Sequence, residues 1–127
     1  MAKALVVDDE SDAREFVRAV LEDEGWEVSE AVDGEEGLKQ AEAVKPDLFV
    51  LDVQMPKKDG FSLFGDLVEK GLTKESKVIM LTGVGARYGI GFDAQNVGDY
   101  VGQEPDAYLE KPIDPEALKK VLKKISG

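Results

Sequence analysis

The sequence predicts an α/β protein built on a doubly wound, five-stranded parallel sheet with helices on both faces. Two observations predict this fold. Apolar runs at Lys3–Val7, Leu48–Leu51 and Val78–Leu81 lack polar alternation, which is typical of central strands buried on both sides. Segments with apolar residues at helical spacing follow these runs, and alternating strands and helices favour right-handed crossovers into one parallel sheet.

The helices are predicted from apolar residues spaced three or four positions apart. Ser11 or Asp12 can cap the first helix, and Asp114 caps the last, with Pro115 at its first helical position. A glycine or a proline ends each of the first three helices. The apolar residues concerned are Phe16, Val17, Val20 and Leu21; Leu38, Ala41 and Val44; Leu63, Phe64, Leu67 and Val68; and Leu118, Val121, Leu122 and Ile125.

Two weaker strands complete the predicted sheet. Trp26, Val28 and Ala31 alternate with polar residues, as in a strand near an edge, and Ala107–Leu109 forms a short fifth strand. The chain has 127 residues and neither a linker nor an internal repeat, so we expect a single domain over residues 1–127.

The composition excludes several classes of function. A net charge of −11 repels nucleic acid and anionic lipid, and no apolar run approaches the length of a membrane helix. Cysteine is absent, so disulfide and thiolate chemistry are excluded, and a reducing compartment is compatible. Histidine is also absent, which excludes histidine metal ligands, histidine bases and a phosphohistidine on this chain.

Polar residues follow the predicted strands where each strand ends. Asp8 and Asp9 follow the first strand, Asp52 the third, Thr82 the fourth and Lys111 the fifth. Ligands of doubly wound sheets bind outside the carboxyl ends of the strands. If the strand order is 2-1-3-4-5, the first and third strands are neighbours, and two or three carboxylates converge there.

Converging carboxylates need a counter-charge. A close unpaired pair repels by about 4 kcal/mol at an effective dielectric constant near 20. Asp8 or Asp9 could alternatively cap the following helix, since aspartate favours that position. Taken with Asp52, however, the set favours a hard divalent cation. Oxygen ligands without cysteine or histidine suit Mg²⁺ that keeps some of its waters and completes its shell with a phosphate.

The remaining residues at this edge suit a phosphoryl group. Lys111 supplies a point charge for a phosphoryl oxygen, Thr82 supplies a hydroxyl donor, and Gly83 leaves room for an incoming group. Carboxylates form acyl phosphates. Asp52 is the best candidate nucleophile, because it ends a central strand between the acids of the first strand and the threonine–lysine pair.

The sequence resembles the receiver domains of two-component response regulators. The resemblance rests on Asp8-Asp9, the stretch LDVQMPKKDG around Asp52, Thr82-Gly83 and the stretch YLEKP around Lys111. It extends from residue 3 to about residue 125. Each motif alone is weak, but four of them occur in order, each at a strand end. The resemblance implies a flavodoxin-like sheet with strand order 2-1-3-4-5.

The resemblance also implies roles for single residues. Asp52 accepts the phosphoryl group, and Thr82 and Lys111 hold its oxygens. Asp52 binds Mg²⁺ together with Asp8 or Asp9 or both, and the main-chain carbonyl of Gln54 completes the protein ligands. A cis peptide precedes Pro112 in the family. Tyr108 stands where the family has its switch aromatic, although ordinary strand packing explains a tyrosine there equally well. These site residues are Asp8, Asp9, Asp52, Gln54, Thr82, Tyr108, Lys111 and Pro112.

The partners implied are a sensor histidine kinase or a histidine phosphotransfer protein as donor, and an output protein of unknown identity. The resemblance implies a cytoplasmic phosphoacceptor switch rather than an enzyme with turnover, either monomeric or dimeric on phosphorylation. With no further domain after the last helix, we expect either a stand-alone receiver or a piece of a longer regulator.

The segment between Thr82 and Lys111 departs from the family pattern. It separates the two residues by 29 positions, and six of the 13 glycines fall within residues 83–102. Glycine destabilises a helix by about 1 kcal/mol relative to alanine. We therefore expect residues 83–103 to be an atypical glycine-rich segment, a mobile loop with a short or frayed helix, in place of a regular fourth helix.

Two other functions remain as alternatives. The stretch TGVGARYGIG invites a nucleotide-binding interpretation, but it has neither a P-loop nor a dinucleotide fingerprint and follows the fourth strand rather than the first. A Mg²⁺-dependent phosphotransferase or phosphatase with an aspartate nucleophile would have a similar site. One large family of such enzymes carries a D-x-D motif at its first strand, and Asp8-Asp9-Glu10 lacks that spacing.

Overall fold

The computed structural model describes residues 2–53, 59–82, 105–111 and 113–126. Within these ranges the chain forms five strands and four helices. The strands are β1 (Lys3–Val7), β2 (Glu27–Ala31), β3 (Leu48–Asp52), β4 (Lys77–Thr82) and β5 (Ala107–Glu110). The helices are α1 (Ser11–Asp23), α2 (Gly34–Val44), α3 (Gly60–Glu69) and α4 (Pro115–Ser126). None of these helices combines the length and apolar character needed to span a bilayer.

The five strands form one parallel sheet in the order β2-β1-β3-β4-β5. The predicted fold class and strand order are therefore confirmed. Val7 pairs with Leu51 across β1 and β3, and Asp52 pairs with Leu81 across β3 and β4. Because these strands end at nearly the same level, the residues that follow them meet at one edge of the sheet.

The apolar core lies in two layers, one on each face of the sheet. The first packs α2 and α3 against alternate strand residues such as Leu5 and Phe49. The second packs α1 and α4 against the intervening ones, such as Val6 and Val50. Every residue of β3 is buried, which explains its unbroken apolar run. Phe16, predicted in the apolar stripe of α1, is instead 38% exposed.

Side-chain caps mark the start of three of the four described helices. At the start of α2, Asp33 accepts a hydrogen bond from the Glu36 N–H, and the Glu36 side chain accepts one from the N–H of Val32, just before the N-cap. Asp114 caps α4 ahead of Pro115, as predicted. The prediction for α1 was wrong: its N-cap is Glu10, which makes no side-chain cap bond. Asp8, two residues before this N-cap, accepts the Glu10 N–H instead, so its carboxylate orders the turn.

Candidate functional site

Four carboxylate side chains meet where β1 and β3 end. Oxygen atoms of Asp8, Asp9, Glu10 and Asp52 all lie within 4.8 Å of one another. Asp8 and Asp52 are buried, whereas Asp9 and Glu10 are exposed. The structure thus brings together the three aspartates expected at the strand ends and adds Glu10, for which the sequence predicted no role.

Asp8 is held in one orientation by its polar neighbours. Its N–H donates to the Ala31 carbonyl over 3.1 Å, and its Oδ1 accepts the Glu10 N–H over 2.9 Å. Its Oδ2 is fully buried and lies 2.9 Å from Lys111 Nζ, but this contact lacks the directional geometry of a hydrogen bond. A buried carboxylate oxygen without a hydrogen bond is costly unless a charge or a metal ion compensates it.

Lys111 supplies the positive charge of the pocket. Its Nζ lies 2.9 Å from Asp8 Oδ2, 3.0 Å from Glu10 Oε1 and 3.4 Å from Asp52 Oδ2. Burial alone would lower the pKa of this ammonium, but its contacts with Asp8 and Glu10 and the charge of Asp52 outweigh burial and raise the pKa above its ordinary value of 10.5. Lys111 is therefore charged throughout the neutral range.

Thr82 lies on β4, beside β3, and Tyr108 lies on β5, the edge strand next to β4. Thr82 stands one position beyond the residue paired with Asp52, at the same edge of the sheet. The Lys111 N–H donates to the Thr82 carbonyl over 2.7 Å, which fastens the ends of β4 and β5 together. Tyr108 pairs with Met80 and is half-buried against the core layer of α2 and α3.

Three predicted features lie outside the described residues. They are the main-chain carbonyl of Gln54, the peptide bond before Pro112 and the glycine-rich segment 83–103.

Gly60 positions the start of α3 against the backbone of Asp52, a role that the sequence analysis did not predict. It is the first residue of α3, and its N–H donates to the Val53 carbonyl over 3.0 Å. A Cβ atom here would collide with the Asp52 carbonyl oxygen and would lie 2.9 Å from Val53 Cα. The start of α3 therefore rests directly on the backbone of Asp52. Its signal in the sequence is the Asp-Gly pair that closes LDVQMPKKDG.

Replacing Gly60 by alanine is expected to lower the free energy of unfolding by about 2 kcal/mol, because the atoms that the new methyl meets are backbone and cannot rotate away. The higher helix propensity of alanine, about 1 kcal/mol, offsets only part of this cost. Urea unfolding measures the effect. Ser62→Ala, at an exposed position of the same helix, is the control and should change stability little. Equal stability of Gly60→Ala and the wild type would contradict the close approach.

The fold and the pocket define the class: a flavodoxin-like α/β protein with an acidic pocket at the carboxyl edge of its sheet. Residues 4–123 match the model of the response regulator receiver domain family. The chain belongs to that family and is a receiver domain of two-component signal transduction.

Solved structures share the whole fold. Chemotaxis protein CheY4 of Vibrio cholerae is 33% identical, with a TM-score of 0.82 and 98% of each chain covered. A receiver domain protein from Methanospirillum hungatei is 28% identical, with a TM-score of 0.81, and the match covers 98% of this chain and 93% of the other.

Curated relatives are longer than this chain. The alkaline phosphatase synthesis transcriptional regulatory protein PhoP of Bacillus subtilis is 39% identical, over 97% of this chain and 48% of the relative. A protein-glutamate methylesterase/protein-glutamine glutaminase of Geobacter metallireducens is 38% identical, over 94% of this chain and 34% of the relative. The chain thus spans a third to a half of these relatives.

Family membership bears on the metal and the partners. Receiver domains bind Mg²⁺ through acidic residues and interact with histidine kinases and output domains. The pocket fits such an ion: its donors are carboxylate oxygens, and the buried Asp8 Oδ2 has no hydrogen bond.

Proposed function

We propose that this receiver domain accepts a phosphoryl group on Asp52 from a histidine of a partner kinase or phosphotransfer protein, and thereby switches a partner-binding surface. The observation that carries the proposal is the Lys111 ammonium, held within 3.4 Å of Asp8, Glu10 and Asp52 beside a buried oxygen without a hydrogen bond. A structural ion pair needs one carboxylate, and this pocket gathers several around one lysine.

The residues that would hold Mg²⁺ are Asp8, Asp9 and Asp52, with the Gln54 carbonyl added from the family likeness. When bound, the ion neutralises charge on the phosphoryl oxygens and on the crowded carboxylates. The different burial of the two neighbouring aspartates supports different tasks for them. Asp8 is buried and fixed by hydrogen bonds, including that from the Glu10 N–H to its Oδ1, whereas Asp9 is exposed and suited to water-mediated contact.

In the transfer step, an Oδ atom of Asp52 attacks phosphorus in line with the departing imidazole nitrogen. A P–O bond forms while the P–N bond breaks, and the imidazole of the donor takes a proton from solvent. Lys111 and the Thr82 hydroxyl hold two of the phosphoryl oxygens, which positions the group and stabilises its charge. Burial of Asp52 limits access of water to the acyl phosphate.

The switch follows from the contacts that phosphorylation would change. The phosphoryl group competes with Asp8 and Glu10 for the Lys111 ammonium and draws the Thr82 hydroxyl toward itself. Tyr108 then turns inward into the space that Thr82 leaves. The main-chain bond between Lys111 and Thr82 supports this coupling, since both strand ends respond together.

The proposal extends to the chain as a whole. Residues 1–127 act as one receiver domain in the cytoplasm, monomeric or dimeric on phosphorylation. The single sheet and the family match over 4–123 support one domain. The protein is a phosphoacceptor rather than an enzyme with turnover. Its output partner recognises the phosphorylated state by binding the surface near Tyr108.

Incubation with Mg²⁺ and acetyl phosphate tests the function. Intact mass spectrometry should find one phosphoryl group per chain, lost on treatment with hydroxylamine as expected of an acyl phosphate, and peptide mapping should place it on Asp52. Omitting Mg²⁺ should suppress this phosphorylation. Continuous turnover of a phosphate ester without a labelled chain would instead favour the Mg²⁺-dependent phosphatase or phosphotransferase alternative.

A further inference from the structure

We propose that Arg14 is a positioning residue that fixes Asp8 for metal binding by holding its main-chain carbonyl. This inference rests on the proposed function. Arg14 Nη1, from α1, donates over 2.7 Å to the carbonyl oxygen of Asp8, which lies in the loop after β1. The Arg14 side chain is only 16% exposed, so this is not a loose surface contact.

Glu30 of β2 orients the guanidinium. Arg14 Nε donates to Glu30 Oε1 over 3.2 Å, and Arg18 Nη1 donates to Glu30 Oε2 over 2.7 Å. Glu30 therefore joins two arginines, of which only Arg14 reaches the end of β1. Arg18 in turn pairs with Glu22.

The result is that the Asp8 backbone is held on both sides. Its N–H is bonded to the Ala31 carbonyl and its C=O to Arg14, which Glu30 holds to the same strand, β2. With Oδ1 held by the Glu10 N–H, three of the four polar groups of Asp8 are fixed. Only Oδ2 is left without a hydrogen bond, and the fixed backbone aims it into the pocket.

The place of Arg14 in its helix supports a specific task. It lies in the first turn of α1, where the helix dipole disfavours a cation. A residue selected for helix stability alone would be acidic or neutral there. The two bonds to Asp8 and Glu30 explain why an arginine, with several donors in one plane, occupies the position.

Whether replacing Arg14 strengthens or weakens Mg²⁺ binding distinguishes a positioning role from an effect of its charge alone. Removing a cation near the pocket should, by charge alone, strengthen Mg²⁺ binding. Loss of a group that orients a metal ligand should weaken it, by about tenfold at least. The experiment is calorimetric titration of the full chain with Mg²⁺, comparing Arg14→Met with Arg18→Met. Arg18 shares Glu30 but does not contact Asp8, so it is the matched control.

Arg14→Met is expected to bind Mg²⁺ about tenfold more weakly than the wild type, and Arg18→Met to bind it as well or slightly better. Arg14→Lys can reach the Asp8 carbonyl or Glu30 but cannot bridge both, so its affinity for Mg²⁺ should lie between those of the wild type and Arg14→Met. This variant replaces Arg14→Met in the titration if Arg14→Met does not fold. Wild-type or tighter binding by the Arg14 variants, or equal weakening by Arg18→Met, would overturn the inference.

A second readout needs no metal. The Glu10 amide, bonded to Asp8 Oδ1, should exchange with deuterium faster in the Arg14 variants than in the wild type and Arg18→Met. If the wild type binds no Mg²⁺, the proposed function fails and this exchange still decides the positioning role. Unchanged exchange at Glu10 would refute that role.

Discussion

Replacing Asp52 by asparagine is expected to abolish phosphoryl labelling by acetyl phosphate. The amide has no nucleophilic oxygen anion, and Asp52 ends β3, the middle strand of the sheet. Asparagine has nearly the shape of aspartate, so the fold should persist, and Lys111 still pairs with Asp8 and Glu10. Intact mass after incubation with Mg²⁺ measures the loss, while thermal unfolding checks the fold.

The matched control is Asp12→Asn. Asp12 is an exposed acid in the first turn of α1, close in sequence to the pocket, and its replacement should leave labelling at the wild-type level. If Asp52→Asn were labelled as fully as the wild type, the nucleophile would be another acid, and peptide mapping would distinguish Asp8 from Asp9.

Replacing Lys111 by methionine is expected to destabilise the metal-free protein by about 3 kcal/mol, the cost of removing one partner from a buried ion pair. Asp8 and Asp52 then face each other without a counter-charge. Mg²⁺ should restore most of the loss: at about 100 times its Kd, a bound ligand adds about 2.7 kcal/mol. Because the ion no longer competes with an ammonium, Lys111→Met should also bind Mg²⁺ more tightly. Denaturant unfolding with and without Mg²⁺ measures both effects.

The pH dependence of this variant has a definite sign. The pKa of Lys111 is higher in the folded than in the unfolded protein. The stability that Lys111 contributes is therefore fully present below pH 10.5 and is lost only as the pH rises through the higher pKa of the folded state. The difference in free energy of unfolding between wild type and Lys111→Met should therefore stay constant across the neutral range.

The control for the loss of stability is Lys119→Met. It removes a lysine 3.8 Å from the exposed Asp23 and should cost less than about 1 kcal/mol. Equal losses for the two variants would show that Lys111 has no special place in the pocket.

The sheet could be predicted from the sequence because its signals are local. Unbroken apolar runs mark β1, β3 and β4, and parallel strands buried on both faces require such runs. The meeting of Asp8, Asp52 and Lys111 also follows once the strand order is known, since each stands at a strand end.

The supporting contacts could not be predicted, because they depend on how elements approach one another. Glu10, for which the sequence predicted no role, is exposed, yet its long side chain reaches back to Lys111. Gly60 touches the Asp52 backbone only because α3 begins there. Arg14 reaches Asp8 through the crossing of α1 over β1 and β2. None of these contacts leaves a periodic pattern in the sequence.

The short bond between the Lys111 N–H and the Thr82 carbonyl has a mechanical consequence. Because it joins the backbones of the two residues, a main-chain displacement at the end of β4 is transmitted to the end of β5. If Asp52 is phosphorylated as proposed, we expect a spectroscopic label on either strand end to respond.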